Sequence, residues 1–332
     1  MPNRYAILTV DTEALPARAA SDHVRHLVWG EHAAGQAGVR EMCAIGREFG
    51  APHVFFVDMC GDELYPGEMA EVVSWLDRDG QDVQLHLHPE ILPLQFWQQH
   101  GLTPRPRYMN EYQDIARAEF VIRFFSERLK ELTGKPVQAY RAGSFRWNGD
   151  IIRALGQAGI PLSFNNSMRA HLLGRSPHAE PTNSPYAWSN GVIEVPVTER
   201  YYPAEPQRGK PEKWLSLKFP QSSYFQYAPP HSPWWRRWLP EPLDLQVFLL
   251  HSWSLLHWDD NQHATYLGDQ RQEEYRRLVA SIVKDYDVIT TTDFLDLVGR
   301  RKIKTKQVVP LERADLVSTP PVTVSVNSSS GF

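Results

Sequence analysis

The sequence predicts an α/β fold built on a parallel sheet, with features typical of an α/β barrel. Short, continuously apolar segments alternate with segments whose apolar residues recur at helical spacing. Strands that are buried on both faces of a parallel sheet are continuously apolar, and regular βα alternation is typical of parallel architectures. Several apolar segments also end abruptly in an acid, a histidine or an arginine. The carboxyl-terminal ends of parallel strands are where α/β barrels hold their catalytic residues.

Composition narrows the class of protein. The 332 residues include 11 tryptophans and are 42% hydrophobic, which is enough for one large α/β domain or two small ones. The net charge of −4 and the lack of a Lys/Arg block argue against nucleic-acid binding. Cys43 and Cys60 are the only cysteines, so a disulfide scaffold is excluded and a reducing compartment is favoured.

Residues 1–10 lack the apolar core of a signal peptide, and no apolar run approaches the ~18 residues of a membrane span. We therefore expect a soluble, cytoplasmic protein.

The first part of the chain alternates strand and helix. The predicted elements are a strand at 5–10, a helix at 38–49, a strand at 53–58, a helix at 68–79 and a strand at 84–88. The first two strands end in Asp11 and Asp58, and the third stops at Pro89. This βαβαβ order suits right-handed parallel crossovers.

The middle of the chain continues the alternation. It contains a predicted helix at 111–133, a strand at 137–140, a helix at 151–158 and a strand at 160–164. Gly134, followed by Pro136, ends the first helix, and Gly159 ends the second, as expected at helix carboxyl termini. The first of these strands leads into Arg141 and the second into Asn165.

A long irregular insertion covers residues 168–242. It is rich in Pro, His, Trp and Tyr, and only 191–197 has a clear strand pattern. Its length and composition indicate a substrate-facing cap rather than a plain linker. An aromatic and basic cluster at 234–238 suits stacking on sugar rings or a membrane surface, although packing of the loop's own aromatics explains it equally well.

The chain then returns to the alternating pattern and ends in a tail. We predict a strand at 245–250 that leads into His251, a helix at 273–284, a strand at 287–291 and a helical turn at 293–298. From residue 302 onward, Val, Ser, Thr and Pro occur without helical period. We therefore expect one domain over 1–300, with 168–242 as its cap, and a flexible tail over 301–332.

Two histidines and two acids have the spacing of metal ligands. His86 and His88 are two apart in a predicted strand, so both side chains point to one face, with backbones ~7 Å apart. That span allows two imidazoles to bind one ion. Asp11 and Glu13 have the same spacing at the end of the first strand. Alternatively, the histidines lie on a half-exposed strand without a ligand, and Asp11 begins a helix cap or a turn.

In a closed parallel barrel these strand ends share one rim, so residues distant in sequence can meet. Two imidazoles and a carboxylate are a usual ligand set of a hydrolytic metal ion. A second carboxylate can then act as general base, and a histidine on the opposite side as general acid. The residues at the predicted strand ends that carry this chemistry are Asp11, Glu13, His86, His88, Arg141 and His251.

Four motifs resemble those of the polysaccharide deacetylases, the NodB-like carbohydrate esterases. They are Thr9-Val10-Asp11-Thr12-Glu13, His86-Leu87-His88-Pro89, Tyr140-Arg141-Ala142-Gly143 and Leu249-Leu250-His251. The resemblance covers roughly the first half of the chain and residues 245–298. It implies a distorted (β/α) barrel of about seven parallel strands that removes N-acetyl groups from amino sugars with a divalent metal ion.

The resemblance also implies a role for each candidate residue. The catalytic residues would be Asp11 as general base, Arg141 as the residue that orients it and His251 as general acid, and the metal ligands would be Glu13, His86 and His88. The implied metal is zinc, with cobalt, nickel or manganese as alternatives. The implied substrate is a carbohydrate.

The ligand motifs depart from the family pattern at two points. Thr12 stands where the family has a second aspartate, so Asp11 and Glu13 could exchange roles. The histidines are two apart rather than four, which leaves Glu90 as an alternative ligand.

Two other family features are also changed. Arg141-Ala142-Gly143 stands in place of an Arg-x-Pro motif. The acid that tunes the acid histidine in the family is not identifiable here, and Glu194 and Asp259 are the two candidates.

We therefore expect a metal-dependent amidohydrolase that removes an N-acyl group, such as acetyl or formyl, from an amino sugar or a polysaccharide precursor. The absence of a secretion signal favours surface-glycan biosynthesis, such as that of lipopolysaccharide. One alternative is a related hydrolase that opens a cyclic or non-sugar amide, with or without a metal ion. Another is a non-catalytic glycan-binding protein on the same scaffold.

Overall fold

Strands and helices alternate in the computed structural model much as the sequence predicts. The structure describes residues 4–220, 243–305 and 307–315. In these ranges the strands are β1 (Arg4–Thr12), β2 (Glu31–His32), β3 (Gly35–Gln36), β4 (His53–Asp58), β5 (Asp82–Leu87), β6 (Ala139–Ala142), β7 (Leu162–Ser163), β8 (Tyr186–Trp188), β9 (Ile193–Glu194), β10 (Glu199–Tyr202), β11 (Lys213–Ser216), β12 (Asp244–His251), β13 (His257–Trp258), β14 (Ala264–Thr265), β15 (Asp287–Val288) and β16 (Val308–Val309). The helices are α1 (His23–Leu27), α2 (Val39–Phe49), α3 (Cys60–Leu64), α4 (Glu68–Arg78), α5 (Leu94–Gln99), α6 (Ile115–Thr133), α7 (Gly149–Ala158), α8 (Met168–Leu172), α9 (Gln270–Asp285) and α10 (Thr291–Gly299).

The main sheet is curled and mostly parallel. Seven parallel strands lie side by side in the order β12-β1-β4-β5-β6-β7-β9. β15 also pairs with β1 in parallel, β8 extends the sheet antiparallel to β9, and β16 pairs with β8. This arrangement confirms the predicted α/β fold and its distorted barrel of parallel strands.

A seam of hydrogen bonds joins the two ends of the parallel series. The chain that leaves β9 reaches β12, where the Thr198 N–H donates to the Val247 carbonyl at 3.3 Å. In return, the Val247 N–H donates to Thr198 Oγ1 at 2.8 Å. Further along, the Leu249 N–H donates to the Leu217 carbonyl at 2.9 Å, and Lys218 bridges to Leu249 in parallel. The seam closes the barrel beside the carboxyl-terminal end of β12.

Alternate residues of each strand face the barrel interior. One buried apolar cluster contains Tyr5, Ile7, Val54, Phe56, Ala139, Leu162, Leu245 and Val247. Their sequence neighbours belong to a second cluster, which the outer helices cover, and include Ala6, Leu8, Phe55, Tyr140 and Phe248. Because side chains alternate along a strand, Asp11 points the same way as Ile7, and Asp58 the same way as Phe56. Strand parity therefore directs the polar strand ends into the mouth of the barrel.

The helices differ from prediction in where several of them begin and in four short helices that were not predicted. α6 begins at Ile115 rather than at residue 111, because the carboxylate of Asp114 caps it by accepting from the Ala116 N–H at 2.9 Å. The short helices α1, α3, α5 and α8 were not predicted, since five or six residues are too few to establish a helical period. Among the described helices, none has the length and apolar character that a membrane crossing requires.

The predicted cap has defined structure from residue 168 to 220. It begins with α8, it adds β8 and β9 to the main sheet, and β10 and β11 form a separate antiparallel pair. These strands are two to four residues long, so most of them leave no periodic signal in the sequence. The aromatic and basic cluster at 234–238 lies outside the described residues.

Part of the segment predicted to be a flexible tail packs against the barrel. β16 pairs with β8, and Leu311 and Ala314 are buried. Arg153 of α7 holds Asp315 in an ion pair of 2.7 Å. Residues 316–332 lie outside the described residues.

Candidate active site

The carboxyl-terminal ends of β1, β5, β6 and β12 meet at one end of the barrel. The strand registers align Asp11 with His251 and His86 with Arg141. The structure thus brings together all six residues that the sequence singles out, which are Asp11, Glu13, His86, His88, Arg141 and His251. A pocket of about 230 Å³ opens above them, and Asp11, Glu13 and His251 line it.

Glu13, His86 and His88 form a compact, buried group. Glu13 Oε1 lies 2.9 Å from His86 Nε2 and 3.2 Å from His88 Nε2. Although His88 follows the end of β5, its ring remains on the same side as that of His86, with ring centroids 5.0 Å apart. Separations near 3 Å are those expected of ligand atoms that each lie about 2 Å from one ion.

Both imidazoles are oriented by a partner on their other ring nitrogen. His86 Nδ1 donates to the carbonyl of Arg141 at 2.8 Å, and His88 Nδ1 donates to Glu90 Oε1 at 2.7 Å. A carbonyl and a carboxylate only accept, so the proton of each neutral ring lies on Nδ1. The lone pairs of both Nε2 atoms then point to Glu13. Such outer partners are typical of histidines that bind metal ions.

This donor set fits a cation. Two imidazole lone pairs and a carboxylate oxygen face one another in a buried space, and only positive charge between them makes the arrangement favourable.

When a proton supplies the positive charge in this group, the proton resides on His88. Burial alone would lower the pKa of His88, but Glu13 and Glu90 outweigh burial and raise it well above its usual range. Burial would likewise raise the pKa of Glu13, and the two histidines instead hold it well below its usual range. Two nitrogens and one oxygen are also donors that zinc accepts.

Asp11 belongs to a second group, in which ligand-type atoms of Asp11, Glu13 and His251 all lie within 4.8 Å of one another. Its Oδ1 accepts from Arg141 Nη1 at 2.5 Å. The guanidinium of Arg141 is fully buried and also donates to Thr9 Oγ1 at 2.9 Å. Asp11 is therefore held as an oriented carboxylate. Glu13, rather than Asp11, contacts the two histidines. This contact favours Glu13 as metal ligand and Asp11 as general base over the exchanged assignment.

His251 lines the pocket together with Asp11 and Glu13. Its ring stacks on Trp253, with centroids 5.0 Å apart and planes 19° apart, and its backbone N–H donates to Ser254 Oγ at 2.8 Å. Burial lowers the pKa of His251, and the nearby carboxylates of Asp11 and Glu13 offset this only in part. A lowered pKa makes its imidazolium form a stronger acid.

Two residues that support His88 were not assigned a role from the sequence. Asp58, at the end of β4, accepts from the backbone N–H of His88 at 3.0 Å and of Cys60 at 3.1 Å. Burial raises the pKa of Asp58. Gly143 lies so close that a Cβ there would be 2.6 Å from the His88 ring. The acidic end of the second strand was the only sequence signal for Asp58, and nothing in the sequence indicated the role of Gly143.

Three acids take other places than those considered from the sequence. Glu90 contacts the Nδ1 side of His88, on the other ring nitrogen from Glu13, and is not part of the donor group of Glu13, His86 and His88. Neither candidate for tuning the acid histidine hydrogen bonds to His251 in the described ranges. Glu194 accepts instead from Ser163 at 2.5 Å, and Asp259 from the backbone N–H of His263 at 2.8 Å.

Comparison with solved structures identifies the fold. A candidate polysaccharide deacetylase from Mycobacterium smegmatis aligns with a TM-score of 0.55 and 16% identity, over 93% of this chain and 94% of that chain. A 4-alpha-glucanotransferase from Thermococcus litoralis aligns with a TM-score of 0.51 and 13% identity, over 93% of this chain and 42% of that chain. The Xyl-CE4 domain of a xylanase from the hindgut metagenome of Trinervitermes trinervoides aligns with a TM-score of 0.42 and 11% identity, over 92% of this chain and 97% of that chain.

No protein-family model and no curated protein matches the sequence. At these identities the Mycobacterium smegmatis and Thermococcus litoralis structures establish a shared fold, and the two are described with different activities. A shared fold does not fix the reaction, so the reaction has to be argued from the residues at the barrel mouth.

Proposed function

We propose that this protein is a metal-dependent hydrolase that removes an N-acyl group, such as acetyl, from an amino sugar or a polysaccharide precursor. The observation that carries the proposal is the convergence of Glu13, His86 and His88, with both imidazoles oriented through Nδ1. An acid–base pair, Asp11 and His251, lies beside this group. The motif resemblance and the barrel shared with the Mycobacterium smegmatis protein are consistent with this reaction.

Glu13, His86 and His88 are the residues that would hold the ion. Two imidazoles and one carboxylate suit zinc, with cobalt, nickel or manganese as alternatives. A bound divalent ion would supply the positive charge that polarises the acyl carbonyl and acidifies water. The remaining chemistry belongs to side chains of this chain.

Asp11 is the proposed general base. Arg141 binds one carboxylate oxygen of Asp11 at 2.5 Å, which leaves the other oxygen to take the proton of the attacking water. Because Arg141 is itself fixed by Thr9 and by the Phe164 carbonyl, the carboxylate is already oriented before substrate binds.

His251 is the proposed general acid. As the C–N bond of the amide breaks, the amine is a poor leaving group unless its nitrogen receives a proton. His251 lies close enough to Asp11 to act on the same substrate, and its stacking on Trp253 fixes the ring plane. The products are a carboxylic acid and a free amine.

Other functions explain fewer of these contacts. Glycosyl transfer uses two carboxylates that flank a glycosidic bond, whereas here Glu13 contacts two imidazoles and Asp11 a guanidinium. Metal-free opening of an amide does not explain why the Nε2 atoms of His86 and His88 converge on Glu13. A glycan-binding protein has no need of the Asp11–His251 pair.

The test is acyl release by the full-length protein after removal and return of metal. The protein is stripped with chelator, its metal content is measured by mass spectrometry, and acetate release from N-acetylated sugars and oligosaccharides is followed with each added ion. We expect activity to return in proportion to about one bound ion per chain. Asp11→Asn should lower kcat by about 10²-fold or more with metal content unchanged.

Asp285→Asn removes the same charge at the exposed end of α9 and should have no effect on either quantity. Full activity in Asp11→Asn, or turnover without metal, would contradict the proposal.

A further inference from the structure

Four cationic residues line the pocket that contains Asp11, Glu13 and His251. They are Arg18, Arg169, Arg175 and Lys218. Across residues 4–220, 243–305 and 307–315, none of these four cations forms an ion pair with a carboxylate. The two acids of the pocket, in contrast, are already engaged by Arg141 and by the histidine pair.

Two of these cations contact neutral groups in the described structure. The Arg18 guanidinium lies over the Trp258 ring at 5.3 Å, and Arg175 Nη1 donates weakly to the Ser144 carbonyl at 3.4 Å. Arg169 is exposed, whereas Arg175 and Lys218 are partly buried. Their charges therefore face the pocket without compensation.

A nearby carboxylate does not neutralise them. Glu199 is buried and accepts from Ser167 Oγ at 2.7 Å, from Ser216 Oγ at 3.0 Å and from the Met168 N–H at 2.7 Å. Its fourth donor is the backbone N–H of Arg169, at 3.2 Å. Glu199 thus fixes the start of α8, and with it the backbone position of Arg169. Its carboxylate accepts hydrogen bonds from neutral hydroxyl and backbone N–H groups.

The like charges are close enough to repel one another. Burial lowers the pKa of Arg175, and Arg146 and Arg169 lower it further. Burial also lowers the pKa of Lys218, again with a contribution from Arg169. Holding cations together in a partly desolvated pocket is unfavourable unless an anion enters it.

We infer that the substrate carries an anionic group, a carboxylate or a phosphate, which the cluster of Arg169, Arg175 and Lys218 binds while the acyl group reaches Asp11 and His251. This inference rests on the proposed N-deacylase function. Guanidinium groups bind both kinds of anion through paired N–H donors, and an ammonium adds a point charge. A neutral sugar would leave the three cations unpaired in the complex.

Three probes that differ in charge test the inference on the metal-loaded protein. They are N-acetylglucosamine, N-acetylmuramic acid and N-acetylglucosamine 1-phosphate, of which the first is neutral, the second carries a carboxylate and the third a phosphate. Binding is measured by calorimetry and acyl release by acetate assay. We expect at least one anionic probe to bind, and to react, about tenfold or more better than the neutral one. The preference should shrink as salt is added.

Single substitutions identify the residues that cause the preference for anionic probes. Arg169→Gln, Arg175→Gln and Lys218→Met should each reduce the ratio of anionic to neutral affinity by several-fold or more, about 1 kcal/mol or above per lost contact. Arg169 is exposed, so its variant is the one least able to disturb folding. Arg277→Gln removes an equal charge from the exposed face of α9 and should leave the ratio unchanged.

The outcomes separate this inference from the proposed function. Acyl release with equal affinity for neutral and anionic probes would overturn the anionic substrate and leave the deacylase intact. If neither these probes nor the N-acetylated oligosaccharides release acyl groups, the deacylase proposal fails, and the calorimetric ratio and its response to Arg169→Gln still decide whether the pocket selects anions. A preference for carboxylate over phosphate, or the reverse, identifies the anion.

Discussion

Arg141 and His86 face each other on neighbouring strands, and the carbonyl of Arg141 accepts the Nδ1 proton of His86 at 2.8 Å. The side chain of the same arginine binds Asp11 at 2.5 Å. One residue thus orients a proposed metal ligand with its backbone and the proposed general base with its side chain. The two functions can be separated, because a substitution changes the side chain and leaves the carbonyl in place.

Arg141→Lys should therefore separate metal binding from catalysis. The carbonyl still orients His86, so metal affinity should change by less than about threefold, whereas the loss of the planar fork that joins Asp11 to Thr9 should lower kcat by about 10- to 100-fold. Calorimetric metal titration and initial rates provide the two readouts. Arg153→Lys, in an ion pair with Asp315 away from the barrel mouth, serves as control. Parallel losses of metal binding and of rate would contradict this division.

Glu90 should tune metal affinity without being a ligand. Its removal in Glu90→Ala deprives His88 Nδ1 of its acceptor, and loss of such a partner typically weakens metal binding by about 10- to 100-fold. Glu90→Gln retains an acceptor oxygen and should recover much of the affinity. Competition with a chromogenic chelator measures both variants. If both variants lose the metal ion completely, Glu90 is a ligand and the assignment of Glu13 needs revision.

Gly143→Ala should damage the site through a steric clash. The added Cβ would lie 2.6 Å from the His88 ring and 2.6 Å from the carbonyl of Leu87, so the imidazole must move. We expect weaker metal binding and a loss of about 1–3 kcal/mol in the free energy of unfolding. Gly299→Ala adds a methyl group in open space in the last turn of α10 and should be close to neutral. Unchanged metal affinity in Gly143→Ala would show that the His88 ring tolerates displacement.

Glu194 should make folding stability depend on pH. Burial raises its pKa to about 7, despite donors that include Ser163 and the N–H groups of Asn165 and Asn166. A folded-state pKa above the unfolded value means that its contribution is complete below about pH 4.5 and is lost as pH rises through 7. The loss is roughly 3 kcal/mol at most.

Urea unfolding of the wild type and of Glu194→Gln at pH 5 and pH 8 measures this contribution. The wild type should lose more stability than the variant between the two pH values. Glu212→Gln, at an exposed position, should follow the wild type. Equal pH dependence in the wild type and Glu194→Gln would mean that Glu194 stays ionised in the folded protein.

The sequence predicts the core of the site because that core follows from strand parity. Asp11 and His86 lie at the ends of buried strands, where alternation alone decides the face to which a side chain points. The same rule predicts which residues of each strand fill the barrel. His88 lies one residue beyond β5, yet it keeps the face of His86, so here the strand rule extends past the hydrogen-bonded ladder.

Residues whose roles depend on loop geometry were beyond prediction. Gly143 matters only because the chain after β6 passes against the His88 ring, and Glu90 only because a turn after β5 folds it back to Nδ1. Arg169, Arg175 and Lys218 come from an irregular stretch without periodicity, and they meet only once the sheet has curled. Contacts that form between loops leave no spacing signal in one sequence.

The stretch that forms the seam between Thr198 and Val247 is separate in sequence from the proposed metal ligands and the proposed base. Every proposed ligand and the proposed base precede residue 142, whereas Arg169, Arg175 and Lys218 belong to the stretch that closes the gap beside β12. Exchange of that stretch for another of equal span could retarget the enzyme to a different acylated compound while the reaction centre remained untouched. Because the closing stretch and the reaction residues are separate in sequence, substrate specificity can change through this stretch alone.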